Sequence, residues 1–283
     1  MSNWDAWIGR EQKREELIVA ATVAPWLATF DRDDPDDGST PQGFHWCVCL
    51  PDAPTVSLGV DGHPVRDDRV SSFFPPIPLP RRMWAASKIE FGWPLLPGEI
   101  VTRTSRIASI TEKSGGTGKL VFVDVVHETR CAEVMSVREI QSIVFREAAP
   151  AGAPPAPPPP TDDGFDPSDW DAHRVLVPTE ALLFRYSALT FNSHRIHYDL
   201  PYTTEVEGYR GLVVHGPLTA TLLLDLAARH FGDNALKRFD FRGTSPAICG
   251  EALHLALRGA GDAVEIGAFA SDGRQVMAAT AAV

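Results

Sequence analysis

The chain has 283 residues, of which 44% are apolar and 22% charged, and its formal net charge is −11. This length suggests one large domain or two of about 140 residues each, with the composition of an ordinary globular protein. The acidic balance argues against a nucleic-acid partner, which needs a basic surface, and no apolar run reaches the roughly eighteen residues that a membrane span needs.

Cysteine usage and the N-terminal residues point to one compartment. The first residues, MSNWDAWIGREQKREEL, lack the apolar stretch of a signal peptide. The four cysteines form no CxxC pair and show no metal-ligand spacing. We therefore expect a cytoplasmic protein with reduced thiols.

The first half of the chain predicts strands interrupted by a long loop. EELIVA is a strand candidate and TVAPWLATFD a helical turn, whereas residues 51–80 are rich in Pro, Gly and Asp, as loops are. Four strand-like runs follow: RRMWAASKIEFGW, EIVTRTSRIASITEK, GKLVFVDVVHETR and EVMSVREIQSIVFRE. The third run alternates apolar and polar residues, which is typical of a half-buried strand. SGGTGK, between two of these runs, lacks the spacing of a phosphate-binding loop and is predicted to be a turn.

A segment rich in proline and alanine divides the chain. Residues 148–163 read AAPAGAPPAPPPPTDD, a composition that cannot pack a core and favours extended polyproline geometry. We predict a first lobe over 1–147, a linker over 148–163 and a second lobe over 164–283, each lobe being close to the usual size of a domain.

The second half of the chain predicts one long buried helix followed by strands. HRVLVP is a strand candidate, and TEALLFRYSALT a helix with Thr179 as its N-cap. GPLTATLLLDLAARHFG has Pro217 just inside its start and Gly232 at its end, the asymmetry expected of a helix, and it is apolar nearly all round. Four strand-like runs with short turns complete this half: ALKRFDFRGT, EALHLALRG, DAVEIGAFAS and RQVMAATAAV.

The two halves share an order of elements, except that the first has a loop where the second has its long helix. We interpret this as a duplication with one degenerate copy. The predicted fold class is α+β, with an antiparallel sheet wrapped around a helix.

The segment FNSHRIHYD concentrates polar residues directly after an apolar stretch. Four of them can hold or transfer protons or bind water: Asn192, His194, His197 and Asp199. A histidine, with an unperturbed pKa of about 6.5, exchanges protons near neutral pH. We therefore expect this segment to carry the chemistry.

A second polar cluster, LVVHGPL, places His215 and Gly216 at the start of the long helix. A helix N-terminus offers unpaired N–H groups and a partial positive charge. These donors suit an oxygen that gains negative charge during reaction, such as a thioester carbonyl, and a glycine there lets a ligand approach closely.

Other kinds of site have weaker support. His194, His197 and Asp199 could supply three metal ligands, but no further spaced His or Cys cluster accompanies them, so we predict no metal site. The sequence also lacks a G-x-S-x-G nucleophile motif, a Walker loop and a G-x-G-x-x-G dinucleotide motif.

FNSHRIHYD, EGYRGLVVHGPL and the long helix together resemble the MaoC-like hydratases and hydroxyacyl-thioester dehydratases of the hot-dog fold. LPRRMWAASKIEFGWPLLPGE resembles the matching segment in the degenerate N-terminal half of double hot-dog members. The resemblance covers nearly the whole chain. It is strongest to the branch that holds mesaconyl-C4-CoA (3-methylfumaryl-CoA) hydratase, itaconyl-CoA hydratase and the type 2 hydroxyacyl-thioester dehydratases. It implies a double hot-dog and a carbon–oxygen lyase.

The resemblance also assigns roles within the motif. The common form of the family motif is D-x-N-P-I-H, in which Asp and His together activate water. Aligning its last residue with His197 places Asn192 at the Asp position, His194 at the Asn position and Arg195 at the Pro position. It therefore implies that His197 is the main acid/base, that Asn192 and His194 hold the water, and that Gly216 marks the oxyanion site.

The resemblance implies a coenzyme A or carrier-protein thioester as substrate, with no separate cofactor, and a homo-oligomer of dimer size or larger. The residues expected to bind that substrate are Arg81, Arg82, Lys88, Arg195, Arg210 and His215, with Arg242 less secure. A C5 branched dicarboxylic acyl group such as itaconyl or methylfumaryl would also need an arginine for its free carboxylate, because a buried carboxylate must be paired; Arg185 and Arg195 are the candidates.

Three alternatives remain open from the sequence. One is a 3-hydroxyacyl-thioester dehydratase of fatty-acid or polyketide type. A second is a non-catalytic acyl-thioester binding module, favoured if the loss of the family carboxylate has removed activity. The third, a thioesterase, would need a carboxylate on the central helix, where Asp225 lies too far along.

Overall fold

A computed structural model describes residues 4–66, 72–115, 118–148, 150 and 152–283. In chain order its helices and strands are β1 (Glu11–Leu17), α1 (Ala20–Phe30), β2 (Arg81–Phe91), β3 (Ile100–Gly115), β4 (Gly118–Cys131), β5 (Val134–Arg146), β6 (Ala172–Leu176), α2 (Glu180–Leu189), α3 (Gly216–Phe231), β7 (Arg238–Gly243), β8 (Leu253–Ala260), β9 (Ala263–Ala270) and β10 (Gln275–Ala282). The described helices include none that is both long and apolar enough to cross a membrane.

All ten strands form one sheet, in the order β1-β3-β4-β5-β2-β7-β10-β9-β8-β6. Read outward from its centre, each half has the same order, which is the pattern that a duplication predicts. The halves meet where β2 pairs antiparallel with β7, for example Lys88 opposite Asp240. The α+β double-lobed prediction is confirmed, with the difference that the two sheets join edge to edge into one.

Helix α3 is the centre of the second lobe. It begins at Gly216 with Pro217 next, and Gly232 ends it with a φ of 103° and an N–H that donates to Ala228 O. Every residue from Leu218 to Ala227 is buried, and the helix packs on β6, β8 and β9 and also on β2 of the first lobe. The sequence therefore predicted this helix and its burial correctly.

The first lobe begins with a strand and a helix whose extents differ from the prediction. Strand β1 covers Glu11–Leu17 rather than EELIVA, and α1 spans eleven residues where we expected one turn. Pro25 lies inside α1, yet the helix continues because Trp26 and Phe30 are buried against the core. Tertiary packing thus outweighs the intrinsic cost of proline in a helix.

The described part of the first lobe contains no counterpart of α3. Between α1 and β2, residues 31–66 and 72–80 hold two short 3-10 turns, Phe44–Cys47 and Thr55–Ser57. Part of the sheet is covered instead by Ile77 and Leu79, which pack against residues of β3 to β5 such as Phe145. In the described residues, a loop therefore replaces the long helix in the first lobe, as we predicted.

The linker is attached to the second lobe near Ala156 and again at Thr161, whose N donates to Asp272 Oδ2 at 3.3 Å. Ala156 N donates to Gly208 O at 2.9 Å, and Arg210 Nε donates to Pro157 O at 3.0 Å. Residues 149 and 151 of the predicted linker lie outside the described part of the chain, as do 116 and 117 of the predicted SGGTGK turn and 67–71 of the predicted loop.

Candidate active site

The FNSHRIHYD segment follows α2 directly and is folded by local hydrogen bonds. Thr179 Oγ1 accepts from Leu182 N, which caps α2 as predicted. At the other end of α2, Asn192 N donates to Ser187 O, and the Asn192 side chain accepts from His194 N at 3.0 Å. The Asn192 carbonyl oxygen therefore holds the turn.

His197 lies in a 3-10 turn beside the residues that precede α3. Its Nδ1 donates to Val213 O at 2.7 Å, which leaves Nε2 as an acceptor. The residue is 7% exposed, and this burial lowers the pKa of His197 to about 4, against a partial opposing effect of the Val213 carbonyl. At neutral pH the ring is an uncharged base with one nitrogen fixed and the other free.

His215 supports this ring from one side. The two imidazoles stack with centroids 3.5 Å apart, and His215 Nε2 lies 2.8 Å from Ser187 Oγ. His215 is buried, and burial together with the charge of His197 keeps its pKa well below the usual value. Its geometry is that of a packing partner for His197, and its predicted contact with substrate stays a prediction.

The N-terminus of α3 lies directly after His215. None of the described side chains caps it, and Pro217 has no N–H to contribute. A Cβ on Gly216 would meet only Trp84 O among the described atoms, at an ordinary 3.8 Å. The first turn therefore keeps free N–H groups and open space, as an oxyanion site needs.

His194 connects this site to the first lobe. Its ring lies edge-on to His197 with centroids 5.5 Å apart, and 4.1 Å from the ring of His63. Burial, followed by the charges of His63 and His197, lowers the pKa of His194 to about 2. It is therefore neutral at any pH at which the protein works.

His63 belongs to a loop of the first lobe that the sequence analysis did not single out. Gly62 O accepts from Ser193 Oγ at 2.6 Å, and Asp61 O accepts from Arg195 N at 2.9 Å. A Cβ on Gly62 would lie 1.9 Å from Ser193 O, so a glycine is needed for this close approach. The one available signal was the triplet Asp-Gly-His in a turn-rich stretch.

Within this loop, Asp61 and His63 form a pair. His63 Nδ1 donates to Asp61 Oδ2 at 3.0 Å, and His63 N donates to Asp61 Oδ1 at 3.0 Å. Burial alone would raise the pKa of Asp61, but the hydrogen bonds and charge of His63 hold it well below the usual range. Burial and the positive charge of Arg82 lower the pKa of His63 to about 4, while Asp61 opposes them.

Arg82 differs from the other predicted substrate-binding arginines. Its guanidinium makes no hydrogen bond or ion pair with another residue in the described part of the chain. Burial and the neighbouring charge of Arg66, opposed by Asp61, lower the pKa of Arg82 to about 10. It is thus a cation held near the histidines without a fixed partner.

Three of the other predicted arginines form ion pairs with carboxylates of the protein. Arg81 Nε lies 3.0 Å from Glu207 Oε2, Arg195 Nη2 lies 2.6 Å from Asp199 Oδ2, and Arg210 forms a two-pronged ion pair with Glu251. Arg195 also lies over the ring of Tyr202, at 4.0 Å. Each of them holds local structure.

Lys88 lies away from the histidines. A bulge in β2 between Trp84 and Ala86 reverses the faces of the residues that follow, so the exposed Lys88 points away from the face on which Arg82 and Trp84 lie. Six residues of strand also separate it from Arg82 by roughly 20 Å. Arg242, opposite Ala86 on β7, is exposed as well.

Two further side chains bear on the alternatives from the sequence. Asp225 is buried on α3 and bonded to Arg32, Arg174 and Arg229, so it is not a free carboxylate of the thioesterase kind. Asp199 is tied to Arg195, which leaves the three ligands considered from sequence unassembled. A different trio, Asp61, His63 and His194, has ligand atoms within 4.8 Å of one another.

The chain is similar to proteins of one family. A family model described as hydroxyacyl-thioester dehydratase type 2 matches residues 43–249. A mesaconyl-C(4)-CoA hydratase of Chloroflexus aurantiacus is 42% identical over 284 residues, which cover 99% of this chain and 97% of the relative.

Solved structures share the fold. A MaoC-like dehydratase from Phytophthora capsici superposes with a TM-score of 0.70 at 15% identity, covering 100% of this chain and 99% of that one. A conserved protein of Mycobacterium tuberculosis described as a double hotdog fold superposes with a TM-score of 0.58 at 14% identity, covering 97% and 95%. At these identities they establish the double hot-dog architecture.

Proposed function

Because the chain belongs to the type 2 hydroxyacyl-thioester dehydratase family, we propose that it hydrates the C2–C3 double bond of a branched C5 dicarboxylic enoyl-CoA, with mesaconyl-C4-CoA the first candidate and itaconyl-CoA the second. The hydratase class follows from the family and from a relative 42% identical over the full chain. The observation that carries the chemistry is His197, a buried neutral imidazole whose free nitrogen lies beside the start of α3.

Hydration needs a proton acceptor and a place for negative charge. Water gives a proton to Nε2 of His197 as its oxygen bonds to C3, and the π electrons move to the thioester oxygen. The free N–H groups at the start of α3 stabilise that oxygen. The proton on His197 is then delivered to C2, which restores the neutral base and leaves the 3-hydroxyacyl thioester. Dehydration runs through the same steps in reverse.

The substrate class is supported by the order of groups across the site. The N-terminus of α3 lies at one end, His197 and His194 follow, and Arg82 lies beyond His63. A thioester bound at the first end would direct a distal carboxylate towards Arg82. A carboxylate that leaves water needs such a cation as partner.

The test is a panel of enoyl thioesters followed by the absorbance of the conjugated double bond. We expect turnover of mesaconyl-C4-CoA or itaconyl-CoA, and Arg82→Gln should lower kcat/KM for these substrates about 10- to 100-fold, as expected for a lost charged hydrogen bond. Crotonyl-CoA, which has no distal carboxylate, should be affected much less. Arg106→Gln, which changes an exposed arginine of the same lobe 3.9 Å from Glu11, is the matched control.

Other outcomes would replace this proposal. Turnover restricted to straight-chain 3-hydroxyacyl thioesters would favour the fatty-acid type of dehydratase. Tight CoA binding without turnover of any thioester would favour a binding module, and release of free thiol would favour a thioesterase.

The proposal also covers the cofactor, the cell compartment and the oligomeric state. The His197 side chain supplies the acid/base group and the backbone N–H groups at the start of α3 supply the oxyanion site, so we propose that the thioester reacts without an added cofactor. A cytoplasmic location is supported by the four free cysteines. A homo-oligomer of two or more chains is supported by the family, and light scattering of the purified protein tests it.

A further inference from the structure

The second lobe's motif leaves its histidines without a carboxylate. Residue 192 is an amide, and Asp199 is bonded to Arg195 at 2.6 Å. His197 is backed by the Val213 carbonyl and His215 by the Ser187 hydroxyl, and both of these partners are uncharged. An imidazolium formed on His197 during hydration therefore has no counter-charge within its own lobe.

The first lobe brings one carboxylate to this point within its described residues. The loop is fixed at the motif by three hydrogen bonds, from Ser193 Oγ to Gly62 O, from Arg195 N to Asp61 O, and from Arg195 Nη1 to Val60 O at 2.9 Å. All three bonded loop groups are backbone carbonyls, those of Val60, Asp61 and Gly62. Asp61 is consequently held beside His194 whether or not its own side chain reacts.

His63 has the same arrangement of nitrogens as His197. Its Nδ1 is committed to Asp61, so Nε2 is its acceptor, just as Nδ1 of His197 is committed to Val213. His194 links the two rings, because its centroid lies 4.1 Å from that of His63 and 5.5 Å from that of His197. Side chains of Asp61 and His63 are 26% and 18% exposed, so the pair borders open space.

We propose that the Asp61–His63 pair is the second water-binding and proton-stabilising unit of the active site, and that it replaces from the first lobe the carboxylate that residue 192 lacks. This inference rests on the proposed hydratase function. The attacking water donates one O–H to Nε2 of His197 and the other to Nε2 of His63, which turns its lone pair towards C3. His63 is thus a catalytic residue, and Asp61 a positioning residue that acts through it.

The proton balance follows from this arrangement. One O–H bond of the water breaks and an N–H bond forms on His197, while the C3–O bond forms and the C2–C3 π electrons move to the thioester oxygen. The negative charge of Asp61, transmitted through the hydrogen bond to His63, stabilises the imidazolium until its proton bonds to C2. No oxidant, reductant or further reactant is needed.

The experiment compares Asp61→Asn, Asp61→Glu and His63→Gln with wild type, using the hydration assay over a range of pH. We expect Asp61→Asn and His63→Gln to lower kcat about 100-fold, within the range for a positioned acid/base group, with KM changed less than about threefold. In Asp61→Asn the acid limb of the kcat/KM profile should move to lower pH, because the carboxylate that favours the protonated imidazoles is gone. Asp61→Glu should recover part of kcat.

Several results would overturn the proposal. Asp61→Asn with kcat near wild type would do so, and so would a lower kcat with an unmoved pH profile, since that indicates a merely structural loop. If Asp61→Asn does not fold, His63→Gln and Asp61→Glu decide the question. The matched control is Asp52→Asn, an exposed carboxylate of the same lobe paired with Arg14, and it should behave as wild type.

Two further measurements distinguish this proposal from a failure of the proposed function and from a metal site. No hydration by wild type of any thioester in the panel would overturn the proposed function together with this inference, whereas normal wild-type turnover with normal Asp61→Asn turnover overturns this inference alone. Loss of activity on dialysis against EDTA, restored by zinc, would show instead that Asp61, His63 and His194 hold a metal ion. We expect kcat to be unchanged by EDTA.

Discussion

The two lobes of the molecule share a plan and differ in one element. Each has five strands in the same order and a helix after its first strand, α1 in one and α2 in the other. The segments that follow, residues 31–80 and 190–237, are of similar length, yet among the described residues a long helix is found only in the second. In the mechanism proposed above, that one difference divides the work of the active site between the lobes.

The segment of the second lobe is built around a long buried helix. Helix α3 buries ten consecutive residues and presents its N-terminus to the site. The first lobe's segment, without such a helix, covers its sheet with residues such as Ile77 and Leu79 and still reaches across to residues 193–195. The loss of a helix in one copy thus provides a loop that the other copy can use.

The sharpest test of this division removes the second lobe's base. His197→Ala should lower kcat for hydration about 1000-fold or more, because the proton acceptor for water is lost while the α3 N-terminus remains. The measurement is kcat with the best thioester of the panel. His173→Ala, an exposed histidine on β6, should leave kcat unchanged, and a His197→Ala variant as fast as wild type would remove His197 from the mechanism.

The buried carboxylate of α3 tests whether the lobes also depend on each other for stability. Asp225 binds Arg32 from the first lobe at 2.8 Å, and Arg174 and Arg229 from the second. Asp225→Ala leaves these cations without their partner and should lower the free energy of unfolding by about 3–5 kcal/mol. Denaturant unfolding measures this.

Asp262→Ala is the matched control for that change, because its carboxylate is exposed and lies 3.8 Å from Arg238. It should change stability by less than about 1 kcal/mol. Equal effects of the two substitutions would mean that the buried cluster does not tie the lobes together.

The lowered pKa values of His197 and His63 predict how the free energy of unfolding depends on pH. His197 has a pKa of about 4 in the folded protein and about 6.5 when unfolded, so below pH 6.5 the unfolded chain binds the extra proton. Stability is therefore full above about pH 6.5 and falls as the pH drops towards 4, by about 3 kcal/mol from His197 alone. His63 adds a loss of the same sign.

Denaturant unfolding at pH 7, 6 and 5 measures this effect. In His197→Gln the loss between pH 7 and 5 should be smaller than in wild type. A free energy of unfolding that stays flat or rises on acidification would show that these rings are already charged in the folded protein.

The smallest expected effect separates loop docking from backbone strain. Gly62 and Gly98 both have positive φ, 84° and 91°, but a Cβ on Gly98 meets nothing within 4 Å whereas one on Gly62 would overlap Ser193 O. Both alanine variants carry similar backbone strain. Gly62→Ala should lower kcat/KM about tenfold, because the loop moves away from the motif, and Gly98→Ala should not. Equal activities would mean that docking of the loop is unimportant.

Much of the fold could be predicted from the sequence because its signals are local. Period-two alternation marked strands such as β4, and the combination of Pro217 and Gly232 marked both ends of α3. Thr179 was identified as a cap by its residue type and position. The motif residues His194 and His197 lie together in the structure because they are neighbours in one short turn.

The sequence was less informative wherever distant residues decide the outcome. Arg82 and Lys88 look equivalent in sequence, but a bulge in β2 places their side chains on opposite faces of the sheet, and Lys88 is exposed. Arg195 was expected to contact substrate, but its Nη1 donates to Val60 O, 135 positions away in the chain. Helix α1 was underestimated because burial of Trp26 and Phe30 outweighs Pro25.

The sequence by itself determined the α+β class, the duplication, the buried helix and the closeness of the motif histidines, since each depends on periodicity, turn chemistry or close spacing along the chain. Only the tertiary structure decided that β2 pairs with β7 and that Asp61 and His63 meet His194. These depend on contacts between residues more than one hundred positions apart, and such contacts leave no local pattern in a single sequence.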